Sequence, residues 1–151
     1  MIPSFDIIIP TRFASQRLPG KPLRDICGKP LIQRVYECAC DSSAESVTVA
    51  TDDPGILRVV ESFGANACLT SVEHSSGTDR VAEAARILKL DDHRIVINLQ
   101  GDEPRMPGSL IDQVAEALAV NPTARIATAC RPLEDRNEYE NPDVVKVVRD
   151  Q

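Results

Sequence analysis

The chain predicts an α/β fold: a mostly parallel, open sheet flanked by helices. Three observations carry this. Short runs rich in Val and Ile alternate with longer stretches of helical apolar spacing along the chain. The strand signal at 94–100 has a nearly continuous apolar centre, as a parallel strand covered on both faces should. Polar loops with clustered cations and hydroxyls follow strand signals directly, where ligands sit in open α/β sheets.

The elements follow in order. Phe5-Asp6-Ile7-Ile8-Ile9-Pro10 reads as the first strand. A helix opens at Pro30, a favoured first-turn residue, with Leu31, Ile32, Val35 and Ala39 on one face. Residues 46–50 form the second strand, ending in Thr51-Asp52-Asp53. Pro54 opens the next helix, with Ile56, Leu57, Val59, Val60 and Phe63 apolar and Gly64 placed to end it left-handed. Residues 66–69 are a short third strand. Thr78 or Ser76 can cap the following helix, whose expected buried face is Val81, Ala82, Ala85 and Leu88. After the fourth strand at 94–100, Ser109 can cap a helix through Leu110, Ile111, Val114 and Leu118, which Asn121-Pro122 ends. Residues 124–130 predict a fifth strand and 144–148 a final one, with a polar, helix-compatible connection at 135–140. The last strand is followed only by Arg149-Asp150-Gln151, so the domain reads as cut short.

The chain has 151 residues, 42% hydrophobic and 26% charged, and reads as one α/β domain over 1–151. Its net charge of −6 argues against general nucleic-acid or anionic-membrane binding, which needs a broad basic face. No apolar run approaches the about 20 residues of a membrane span, and the N-terminus lacks signal-peptide character. The expectation is a cytoplasmic protein. The five cysteines follow no zinc spacing and are expected to be reduced, mostly buried thiols. Neither a glycine-rich dinucleotide fingerprint nor a P-loop is present, and no internal repeat or linker interrupts the chain.

Against this acidic background stands a basic island. Between residues 12 and 29 there are five cations (Arg12, Arg17, Lys21, Arg24, Lys29) and one anion, Asp25. Arg12, Arg17 and Lys21 follow the first strand, where guanidinium forks and an ammonium suit phosphate oxygens, although such cations also serve as a solvated surface. Ser76-Gly77-Thr78-Asp79-Arg80 offers amides, hydroxyls and one guanidinium to a ligand, or a helix cap. Asp102, behind Gly101 at the end of the fourth strand, either holds a hard divalent cation or closes a turn. Loops 10–22, 70–80 and 100–104 should meet at the C-terminal edge of the sheet.

These residues bring a family into view. Ile8-Ile9-Pro10-Thr11-Arg12-Phe13-Ala14-Ser15-Gln16-Arg17-Leu18-Pro19-Gly20-Lys21-Pro22-Leu23 closely resembles the opening of the 3-deoxy-D-manno-octulosonate (KDO) cytidylyltransferases, or CMP-KDO synthetases. So do Ala50-Thr51-Asp52-Asp53, His74-Ser75-Ser76-Gly77-Thr78-Asp79-Arg80, Asn98-Leu99-Gln100-Gly101-Asp102-Glu103-Pro104 and Asn141-Pro142-Asp143-Val144-Val145-Lys146-Val147-Val148. Thr11 departs from the family's usual alanine. The resemblance implies a nucleotide-diphospho-sugar transferase-like, Rossmann-like fold, of which this chain is the N-terminal portion. It implies a Mg2+-dependent transfer of CMP from CTP to KDO for lipopolysaccharide synthesis, in a homodimer. It further implies that Arg12 and Lys21, with Arg17, hold the triphosphate. Pro10, Thr11, Ser76, Gly77, Thr78 and Arg80 would frame the nucleoside, Gln100 would touch the sugar side, and Asp102 would bind Mg2+. The family continues beyond this chain's length with a second metal carboxylate and most of the KDO pocket, so the isolated chain is expected to be inactive. Two other readings stand beside it: a related CMP-sugar-acid synthetase, and a non-catalytic CTP-binding fragment.

Overall fold

A computed structural model describes residues 3–13 and 19–148. Its centre is a four-stranded parallel sheet of β1 (Phe5–Thr11), β4 (Ser46–Thr51), β5 (Asn66–Leu69) and β6 (Ile95–Asn98), in the order β5-β4-β1-β6. Between β1 and β4 lie a 3-10 turn (Lys21–Leu23), a two-residue antiparallel hairpin of β2 (Asp25–Ile26) and β3 (Lys29–Pro30), and α1 (Leu31–Cys40). The other helices are α2 (Pro54–Ser62), α3 (Gly77–Ile87), α4 (Gly108–Ala119) and the short α5 (Arg136–Glu140). The predicted fold class is the one observed.

β1 is the hub because it is apolar on both faces. Phe5, Ile7 and Ile9 pack on one side with α1, α2 and α4, through Leu31, Ile32, Val35, Ile56, Val60, Ile111 and Ala115. Ile8 faces the other layer, where it meets Ala50, Cys68, Val81 and Ala84 under α3. All seven β1 residues are buried. Burying one such side chain stabilises by about 1.5–3 kcal/mol. The α1 face is the predicted Leu31, Ile32, Val35 and Ala39. Gly64 takes φ +81, and its N–H donates to Glu61 O at 3.0 Å as it ends α2. Ser76, one of the two predicted caps, accepts the Asp79 N–H at 3.1 Å.

Other expectations give way to packing. Residues 124–130 and 144–148 form no strand: Ile126 is 84% exposed and Val148 95%. Their β-branched residues have no described ladder to join, and β propensity expresses itself only against neighbours. β6 is shorter than 94–100 and half-exposed, because among the described strands it is an edge paired only with β1. On α3, Arg80, Val81 and Ala84 are buried while Ala82 and Leu88 are exposed, since the helix turns a different stripe to the sheet. α4 starts from Pro107 with no side-chain cap, so Ser109 does not cap it. The cysteines are not mostly buried: only Cys68 is. Cys27 sits at φ 53 in the β2–β3 turn and Cys40 at the open end of α1. Burial raises the Cys68 thiol and so favours its protonated form. Among the described residues no helix is long and apolar enough to cross a membrane.

Candidate active site

The chain runs outward from β1 to β4 and β5, then returns to β6 on the other side of β1. Strand order therefore reverses between β1 and β6, which opens a crevice at their C-terminal ends. A cleft of about 540 Å³ fills it. Pro10, Thr11 and Arg12 come from the end of β1, Lys21 and Pro22 from the 3-10 turn, His74 to Gly77 and Arg80 from the loop and start of α3, and Gln100, Gly101 and Asp102 from the turn after β6. The three predicted loops do meet.

Close backbone approach sets the floor. A Cβ on Gly101 would meet Pro10 O at 2.9 Å, and one on Gly77 would meet Pro10 Cγ at 3.3 Å. These two glycines let the loops after β5 and β6 lie against the end of β1.

On one rim, Lys21 Nζ donates to Asp102 Oδ2 at 2.5 Å. Arg12 is exposed beside them. On the other rim, Ser76 accepts from Asp79 N–H and donates to Asp79 Oδ2 at 2.7 Å. Gln100 Nε2 donates to Asn98 Oδ1 at 2.9 Å.

Arg80 is only 3% exposed. It donates to Thr70 Oγ1, to Ser71 O at 3.2 Å and to Asp52 Oδ2 at 2.7 Å. Asp52 also accepts the Phe13 N–H at 3.4 Å, so this strand-end carboxylate ties the loop after β1 to α3. Thr78 lines a second, largely apolar groove of about 610 Å³ between β6, α4 and residues 125–129. It accepts a bond from Asn98 Nδ2 at 3.5 Å. Arg17 lies outside the described residues.

Sequence reading missed Asp52 and Glu83 as site-shaping groups. Glu83 Oε2 lies 2.5 Å from His74 Nε2 and accepts the Ser71 N–H at 2.8 Å. The only signal for either was its place in, or one turn after, a resembling block. Glu103, next to Asp102, has its carboxyl raised, first by burial and then by the neighbouring negative charge. Among the described residues Asp102 is the one carboxylate lining the cleft. No group of three or more metal-ligating residues forms among the described residues. A divalent cation would thus take one protein oxygen here and the rest from phosphate and water, a mode that suits Mg2+.

Solved structures share this fold. A cytidylyltransferase from Leptospira borgpetersenii matches with a TM-score of 0.67 at 22% identity, over 80% of this chain and 50% of its own. A CMP:2-keto-3-deoxy-manno-octonic acid synthetase complexed with CTP matches with a TM-score of 0.74 at 43% identity, over 80% of this chain and 49% of its own. The parallel sheet and its switch-point cleft thus define a nucleotidyltransferase-like α/β fold. The cytidylyltransferase family model matches residues 7–151, and the chain belongs to that family. A 3-deoxy-manno-octulosonate cytidylyltransferase of Hahella chejuensis is 54% identical over 148 residues, 98% of this chain and 58% of the relative. One from Pseudomonas fluorescens strain SBW25 is 56% identical over 150 residues, 99% of this chain and 59% of the relative. The chain therefore spans somewhat under two thirds of the length of these curated relatives.

Proposed function

We propose that the switch-point cleft binds CTP, and that in a protein of the relatives' length the same residues serve cytidylyl transfer to KDO. The single observation carrying this is Lys21 and Asp102 meeting at 2.5 Å on the rim, with Arg12 beside them at the end of β1. That rim joins phosphate-binding cations to a carboxylate able to hold their counter-cation. The names of relatives at 54% and 56% identity support KDO as the acceptor over another sugar acid.

In this reading Arg12 and Lys21 bind the β- and γ-phosphates. Pro10, Thr11, Ser76 and Gly77 frame the nucleoside, the buried Arg80 holds the loop behind them, and Gln100 reaches toward the sugar, while Thr78, implied by the resemblance, lies in the neighbouring groove. The anomeric hydroxyl of KDO attacks the α-phosphorus in line. The new bond joins that oxygen to phosphorus, the hydroxyl proton passes to solvent, the bond to the β-phosphate oxygen breaks, and pyrophosphate leaves with the electron pair. The protein's part is to position the triphosphate and balance its charge. Mg2+ held by Asp102 would add positive charge at the phosphates. The same reading places the reaction in lipopolysaccharide precursor synthesis in the cytoplasm, with self-association of the longer protein.

A second reading is CTP binding without turnover by this chain alone. It rests on Asp102 being the one carboxylate in the cleft among the described residues, and on the open rim, where Asp102 is 52% exposed. A pyrophosphate-release assay with CTP, KDO and Mg2+, run beside CTP calorimetry, separates the two. Binding without release supports the second reading, release supports transfer by this chain, and neither overturns both.

A further inference from the structure

We infer that Glu83, a residue outside the cleft, is the positioning residue that holds the nucleoside side of the cleft in shape. The inference rests on the CTP reading above. The loop between β5 and α3 has no regular structure of its own across residues 70–76. Two side chains of α3 hold it instead. Glu83 Oε2 accepts both the Ser71 N–H at 2.8 Å and, at 2.5 Å, the bond from His74 Nε2. Arg80 donates to Ser71 O at 3.2 Å and to Thr70 Oγ1. Ser71 thus has its amide and its carbonyl taken by side chains three residues apart on one helix, which share a face. The following stretch of the same loop, His74 to Gly77, lines the cleft.

Glu83 itself does not line the cleft. It acts through Ser71 and through the His74 imidazole, whose Nε2 it engages while the ring borders the ligand space. The bonds found for Glu83 reach only this loop. The phosphate rim of Arg12, Lys21 and Asp102 is built on the loops after β1 and β6 and shares none of them. The two halves of the cleft should therefore respond separately to loss of Glu83, whereas general damage to the fold would weaken both.

The test is calorimetry of the chain with CTP and with inorganic tripolyphosphate, for wild type, Glu83→Ala and Glu83→Gln. Glu83→Ala should weaken CTP about tenfold, the worth of one or two lost hydrogen bonds, and leave tripolyphosphate within about twofold. Glu83→Gln keeps an acceptor oxygen and should recover part of the loss. Equal weakening of both ligands, or unchanged CTP affinity, overturns the inference. If Glu83→Ala fails to fold, Glu83→Gln should still weaken CTP more than tripolyphosphate, and equal effects on the two ligands there are equally fatal. A wild-type chain that binds neither ligand overturns the nucleotide reading itself. One that binds tripolyphosphate but not CTP overturns the assignment of a nucleoside side.

Discussion

Lys21 Nζ lies 2.5 Å from Asp102 Oδ2, bridging the turn before β2 and the turn after β6 on the rim of the cleft. Their side chains are 37% and 52% exposed, so the pair adds little to folding, about 0–1 kcal/mol. Lys21→Ala should leave the melting temperature nearly unchanged and weaken CTP by about 1–3 kcal/mol, the worth of a charge-assisted bond. Asp102→Asn should fold normally and bind CTP with no gain on adding Mg2+. Calorimetry with and without Mg2+ and a thermal melt check both. A melting loss that parallels the loss of CTP affinity would make the pair a structural clasp instead.

Arg80 behaves differently from the rim cations because it is buried and bonded to Asp52, Thr70 and Ser71. Arg80→Ala strands the Asp52 carboxylate, which is only 14% exposed. The expected cost in urea denaturation is about 3–5 kcal/mol, as for breaking a buried pair by removing one partner. Adding Asp52→Ala should cost less than the two single losses together. An Arg80→Ala chain of normal stability but poor CTP affinity would place the guanidinium on the ligand instead.

At the opposite edge of the sheet, Asp6 is 4% exposed and accepts bonds from Arg94 Nε at 2.5 Å and Ser46 Oγ at 2.6 Å. Burial works to raise its carboxyl, but the bonds from Arg94 and Ser46 prevail and hold it below the ordinary value. A lowered folded value gives stability that is present above the unfolded value, about pH 4, and lost as pH falls through the folded one. The wild-type urea midpoint should drop steeply below about pH 4. Asp6→Asn should start lower at neutral pH and show a flatter acid limb. Parallel acid limbs would show that the pair contributes nothing to the pH dependence.

Two glycines separate fold from site. A Cβ on Gly108 would sit 2.4 Å from Asp41 O, so Gly108→Ala should push α4 off the end of α1 and lower stability by about 1–3 kcal/mol. A Cβ on Gly101 meets Pro10 O at 2.9 Å in the cleft floor, so Gly101→Ala should weaken CTP more than it lowers the melting temperature. Thermal melts and calorimetry on both variants would show the opposite ordering if the floor were placed elsewhere.

Much of this was legible from local pattern. β1, the buried face of α1, the Gly64 terminus and the Ser76 cap depend on residues close in sequence, where periodicity and cap chemistry decide the outcome. The meeting of three loops followed from the parallel topology. What escaped were relationships between distant segments. Asp52 and Arg80 are 28 residues apart, and the grip of Glu83 on Ser71 and His74 depends on how a loop folds back on its helix. Residues 124–130 and 144–148 carry strand composition, yet they have no described strand as a partner, and composition alone forms no ladder. Cys27 and Cys40 are surface residues because a hairpin and an open helix end put them there, which residue type cannot report.

CTP binding in the crevice between β1 and β6 is tested most directly by titrating a 15N-labelled chain with CTP and following its amide signals. The largest shifts should fall at Thr11, Ser76, Gly77, Gly101 and Asp102, with α5 and residues 141–148 unmoved. Lys21→Ala should weaken the response without changing its map. No saturable shift, or shifts centred on α4 and residues 125–129 instead, would contradict a nucleotide site at the switch point.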